Sequence, residues 1–100
     1  MPKLIVMYPK PTDVEAFEKV YAEEHVPMVR EKMPKATLRA TKIVGAPRGE
    51  PPFYRIAEMT FDTVEDMQET MASEGGRATG KHAFQISTGG APVFMFAEDA

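Results

Sequence analysis

Leu4-Ile5-Val6-Met7-Tyr8 is a continuous apolar run closed by Pro9 and Pro11. A run this short, ended by prolines, reads as a β-strand covered on both faces rather than one with a wet side. Cover for one face follows at once. Thr12 or Asp13 can cap a helix in which Val14, Phe17, Val20 and Tyr21 recur at helical spacing, with Glu15, Glu18, Lys19 and Glu23 on the other side. Pro27 lacks an N–H and disfavours helical geometry at Val26. The helix is therefore expected to end or kink near His25, add a turn through Met28 to Lys32 and stop at Pro34.

From Ala36 to Val44, Thr37, Arg39 and Thr41 alternate with Ala36, Leu38 and Ala40, the period of a half-covered strand. The Gly- and Pro-rich stretch from Gly45 to Pro52 joins it to a second strand, Phe53 to Phe61, as a long hairpin. Thr63 and the acids Glu65 and Asp66 open another helix, which carries Met67 and Met71. Gly75-Gly76 is expected to interrupt it before a third helical piece, Arg77 to Ile86. Val93 to Ala97 closes the chain as an apolar strand, followed by a solvated tail Glu98-Asp99-Ala100. The order is α+β, a ferredoxin-like βαββαβ arrangement: a four-stranded antiparallel sheet with helices on one face. Since the first and last strands are apolar on both sides, a second copy of the sheet is the economical cover for the open face. A homodimer is expected.

The 100 residues suffice for one domain, 1–100. Without cysteine, disulfide frameworks, thiol nucleophiles and zinc–thiolate sites are excluded. The net charge is −3 and the basic residues are scattered among acids, so no stripe follows a nucleic-acid backbone. The longest apolar run falls far short of the roughly 20 residues that span a bilayer, and the N-terminus does not read as a signal peptide; no membrane partner and a cytoplasmic location are expected.

Only His25 and His82 titrate near neutrality unaided. Phe17, Tyr21 and His25 follow at i, i+4 and i+8, so His25 continues the apolar helix face. A helix C-terminus favours its protonated form and burial opposes it, which would set its pKa near working pH. The alternative is a capping or core histidine. His82, between Lys81 and Ala83, reads as a solvated surface histidine. Tyr21 is a candidate hydrogen-bond donor to a ligand oxygen, its alternative being core packing. Arg30 is a candidate partner for a carboxylate or enolate oxygen, its alternative a surface position near a helix end. Glu23 and Glu24 beside His25 make too few ligands for a metal, and no phosphate-binding glycine loop or nucleophile elbow is present; neither metal nor cofactor is expected. Arg39 and Arg55 fall in strands, where facing inward would make an anion site and facing outward a dimer salt bridge. The sequence leaves both open.

The segment Tyr21-Ala22-Glu23-Glu24-His25-Val26-Pro27-Met28-Val29-Arg30 resembles the Tyr-x-x-x-His-x-Pro-x-hydrophobic signature of the EthD family. Phe61 to Glu65 and the ending Ile86 to Val93 are similar to that family's strand–helix junction and to the endings of its short members. The resemblance implies a dimeric α+β barrel with a small-molecule cavity in each subunit, faced by His25. Members are often labelled reductases, yet no flavin, nicotinamide or haem site is visible in this chain, so an oxidoreductase label is weakly grounded. Relatives sharing the barrel include muconolactone isomerases and cofactor-free monooxygenases or dehydratases acting on phenolic, polyketide-like compounds. On that pattern a small apolar carbonyl or phenolic compound is the expected ligand. His25 and Tyr21 are the catalytic candidates, His25 taking a proton next to the carbonyl, while Tyr21, His25 and Arg30 bind substrate. The alternatives are a non-catalytic accessory or ligand carrier for an oxygenase pathway, or a structural dimer module.

Overall fold

β1 (Pro2–Tyr8) alternates buried and half-buried residues along its whole length, and this alternation sets the two faces of the sheet. A computed structural model describes residues 1–99; Ala100, the last residue of the expected tail, lies outside them. Leu4, Val6 and Tyr8 point to the helices, where they meet Phe17, Tyr21, Val29 and Met33 in one core. Each large side chain buried this way contributes roughly 1.5–3 kcal/mol. β2 (Thr37–Lys42), β3 (Arg55–Thr60) and β4 (Val93–Glu98) complete an antiparallel sheet of order β2-β3-β1-β4. This is the ferredoxin-like arrangement, with helices on one face as the sequence predicts. β3 begins two residues after the expected Phe53, although Tyr54 still donates its N–H to the Tyr8 carbonyl and extends the pairing.

By the register, Ile5, Met7, Ile56, Val93 and Met95 share the open face with Thr37, Thr41 and the directly opposed Arg39 and Glu58. Asp99 is not simply a free tail residue: it pairs with Lys3 Nζ at 3.1 Å while remaining largely exposed.

The first helical arm does not end at His25. α1 (Val14–Val20), capped by Asp13 accepting from the Ala16 N–H, passes through a π-helical turn, Tyr21–His25, into α2 (Val26–Lys32). A proline inside a helix clashes with the carbonyl four residues back, and a widened turn accommodates it without breaking the rod. Val26 accordingly keeps helical angles and donates to the Tyr21 carbonyl, five residues earlier.

The second arm is α3 (Val64–Ala72) and α4 (Glu74–Ile86). The break between them falls at Ser73, two residues before the expected glycines, because Ser73 accepts from the Gly76 N–H and so caps α4. Gly75 and Gly76 serve close approach instead. A Cβ at Gly76 would collide with the Thr70 carbonyl, and one at Gly75 would press on that of Lys32. Gly80, in mid-helix, has open space where its Cβ would be.

These surroundings give two glycine substitutions opposite signs. Gly76→Ala should destabilise by about 1–3 kcal/mol through overpacking, and Gly80→Ala should stabilise by about 1 kcal/mol through helix propensity. Urea denaturation of both variants checks this, and equal effects of one sign would contradict the packing of α4.

Candidate functional site

The π turn places Tyr21 and His25 together on the inner face, only 3% and 4% exposed. Their rings stack at 5.5 Å, and Tyr21 stacks in turn on Phe17 at 5.5 Å. Single π turns inside α-helices are frequent at functional sites. Here the turn leaves His25 pointing between β1 and α4, with a partner on each ring nitrogen. Nε2 lies 3.2 Å from the Tyr8 hydroxyl, and Nδ1 lies 2.9 Å from His82 Nδ1. The two imidazoles are nearly parallel, at 15°, with centroids 5.2 Å apart. That separation exceeds the nitrogen–nitrogen distance by about the two ring radii, so the rings meet edge to edge with N–H aimed at a lone pair. An N···N hydrogen bond requires one protonated and one bare nitrogen.

His82 is therefore not the solvated histidine expected from its neighbours. It is half-buried, one turn from buried Thr79 and Ile86, and the small inner face of α4 (Gly76, Thr79, Gly80, Ala83) lets the helix come close enough to bring it to His25. That periodic run of small residues was the available signal. In sequence Tyr8 is one more residue of an apolar strand; its place on the same face as Leu4 and Val6 is the corresponding clue.

The electrostatics also differ from expectation. His25 is not at a helix terminus, since the arm continues into α2, and so lacks the dipole that would favour its charge. Burial, aided by neighbouring His82, lowers its pKa to about 4. Burial also pushes the Tyr8 phenol well above its ordinary value and Tyr21 up to about 12.

Tyr8 and His25 stand on the wall of a cavity of about 20 Å³, room for about one water. Leu4, Val6, Met33, Met59, Met71 and Phe94 make the apolar part of that wall, and the small face of α4 closes it. The other candidates stand apart from it. Tyr21 lies behind His25 with its hydroxyl buried and unpartnered among the described residues, and Arg30 is exposed on α2. Arg55 faces inward, and its anion is Glu18: Nη2 is 2.7 Å from both carboxylate oxygens, while the guanidinium lies 4.9 Å from the Tyr21 ring centre. Partial burial would raise the Glu18 carboxyl, yet hydrogen bonds from Tyr54 and Arg55 outweigh it and hold it below its ordinary value. Arg39 lies on the open face. Among the described residues no group of three or more His, Cys, Asp or Glu is placed to hold a metal ion, and no helix is long and apolar enough to cross a membrane.

The profile of the EthD domain matches residues 9–84, which span the π turn, both histidines and the small face of α4. The chain belongs to the EthD family. A crystal structure of an ethyl tert-butyl ether d (EthD) family protein from Bacillus halodurans is 38% identical, with a TM-score of 0.91, and the match covers 100% of this chain and 99% of that one. An uncharacterised 11.0 kDa protein of Rhodococcus erythropolis is 23% identical over 99% of this chain and 96% of its own. A dimeric protein of ferredoxin-like fold from Bacteroides fragilis, 17% identical, superposes with a TM-score of 0.65 over 98% of this chain and 95% of that one, a likeness of fold alone.

In this EthD protein the burial of His25 makes stability pH-dependent. The folded pKa of about 4 lies below the ordinary 6.5, so the unfolded chain binds more protons between those values. The stability from keeping His25 neutral is present above pH 6.5 and lost as pH falls toward 4, on the order of 3 kcal/mol in all. Denaturation across pH 4–7 should show this slope in the wild type and its loss in His25→Gln; identical slopes would contradict a buried neutral His25.

Proposed function

We propose that this EthD protein binds a small apolar carbonyl or phenolic compound beneath α4 and moves a proton on it at the His25 cluster without a cofactor. The observation that carries this reading is a neutral, buried imidazole bonded at both nitrogens beside a phenol on an otherwise apolar cavity wall. A polar pair in such a wall orients a ligand oxygen, and groups held neutral by burial exchange protons without separating charge. The cavity must widen to take an organic ligand. Met33, Met59 and Met71 suit that need, since methionine repacks at low cost. Tyr21 supports the His25 ring from behind, and Arg30 would act only on a part of the ligand that reaches the surface.

The small volume also favours a second reading, a carrier that opens around its ligand and does no chemistry on it. Cyclohexanone in deuterated buffer separates the two. An enzyme accelerates deuterium incorporation beside the carbonyl, and His25→Gln lowers that rate about a hundredfold. Saturable binding with no exchange above buffer would leave only the carrier.

The protein functions, on this reading, as a homodimer that buries the open sheet face. Ile5, Met7, Ile56, Val93 and Met95 supply an apolar centre, and opposed Arg39 and Glu58 suit a two-fold contact in which each meets the other's mate. The dimeric fold neighbour supports it. Sedimentation at micromolar concentration should give a dimer that Ile56→Lys converts to a folded monomer; a strictly monomeric wild type would contradict it.

A further inference from the structure

We propose that Tyr8, His25 and His82 form a proton wire whose direction is set by the bound compound: a carbonyl oxygen turns it inward, and an enol or phenol hydroxyl turns it outward. This rests on the reading that the cavity takes such a compound.

The groups facing His25 are Tyr8 from β1, Tyr21 from the π turn and His82 from α4, and only Tyr8 and His82 reach its nitrogens. The Nδ1–Nδ1 bond couples the two tautomers, leaving two neutral arrangements. In the outward one, Tyr8 donates its O–H to His25 Nε2, His25 Nδ1–H donates to His82 Nδ1, and His82 carries its remaining proton on Nε2. The Tyr8 O–H and the His25 N–H, the two buried donors of the chain of three, are then both matched. In the inward one, His82 Nδ1–H donates to His25 Nδ1, His25 Nε2–H donates to the Tyr8 oxygen, and the Tyr8 O–H is left to point elsewhere. Thr79 carries the other hydroxyl on the cavity wall, but its Oγ1 is held on the Gly75 carbonyl and makes no bond to Tyr8, and an unmatched buried donor is costly. The empty protein therefore rests outward.

A ketone supplies the missing acceptor and favours the inward arrangement. A phenol or enol hydroxyl donates to the Tyr8 oxygen and keeps the outward one. The two arrangements differ by one proton passed along the chain. As the Tyr8 proton goes to the ligand oxygen, water admitted with the ligand takes the α-carbon proton; His25 Nε2–H replaces the proton on Tyr8, and His82 Nδ1–H replaces the one His25 gave up, now on its Nδ1. Bulk water then gives a proton to His82 Nε2. The reverse order carries the enol O–H proton out to water while water in the cavity protonates the α-carbon. Neither imidazole ends charged, which suits a buried pair. Tyr8 is thus the group that touches the ligand oxygen, and half-buried His82 is a positioning residue that links it to solvent. A site that accepts both partners of a keto–enol pair, and moves the proton on their oxygen while water serves the α-carbon, fits carbonyl compounds that enolise.

Nitrogen NMR of histidine-labelled protein at pH 7 tests this with cyclohexanone and phenol, two rings of one size and opposite hydrogen-bonding sense. The free protein and the phenol-saturated protein should show His25 protonated on Nδ1 and His82 on Nε2, and cyclohexanone should reverse both. His82→Gln keeps a hydrogen bond to His25 but cannot pass a proton through; it should lower kcat for deuterium exchange at least about tenfold with KM unchanged. A free protein with His25 protonated on Nε2 overturns the wire. So does cyclohexanone that shifts the Ala83 and Met59 methyls without reversing the nitrogens, or a His82→Gln variant altered only in KM; binding beneath α4 then still stands. Methyls unmoved by both compounds overturn the binding reading and the wire together.

Discussion

An imidazole withdrawn from water must find a partner for each nitrogen or lose the hydrogen bonds that water gave it. His25 meets that demand with Tyr8 on one side and His82 on the other, and three separate segments are thereby held to one another: the end of β1, the π turn and the middle of α4. The phenol and the two imidazoles come from residues 74 positions apart at the extremes, yet meet within hydrogen-bond distance. Any shift of α4 away from the sheet would strand both a donor and an acceptor, so the site and the packing of the helical layer depend on the same bonds.

Two local departures from regular structure make those bonds reachable. The wide turn around Pro27 lets the first arm continue instead of breaking, which keeps Tyr21 and His25 on the inner face and denies His25 the charge-stabilising end of a helix. Opposite it, Gly76 brings α4 against the Thr70 carbonyl, and the small face through Thr79, Gly80 and Ala83 leaves space above Tyr8. Gly80 differs from its neighbours, since no contact requires it to lack a side chain and its mid-helix position costs about 1 kcal/mol. Space, not close approach, is what its absent side chain provides.

The βαββαβ order, the two-sided apolar character of β1 and the inward direction of His25 were all legible in sequence, because each rests on periodicity within a single element. The family signature from Tyr21 to Arg30 was legible for the same reason. His82 was not, since its neighbours Lys81 and Gly80 suggest a solvated stretch and only the packing of α4 on the π turn reveals its partner. Tyr8 was hidden by its membership of a strand whose other residues are core. Arg55 was undecidable because its orientation depends on the register with Tyr8, and its partner Glu18 reads as an ordinary surface acid until α1 is laid over β3. Elements are written locally, whereas contacts between distant polar groups appear only once the elements are docked.

The site stands on the bond between the two imidazoles, which a scalar coupling between His25 Nδ1 and His82 Nδ1 reports directly in histidine-labelled protein at neutral pH. A resolved nitrogen–nitrogen coupling between those two atoms, with both rings neutral, is the predicted result. Sharp signals from both histidines with no coupling between them would contradict it.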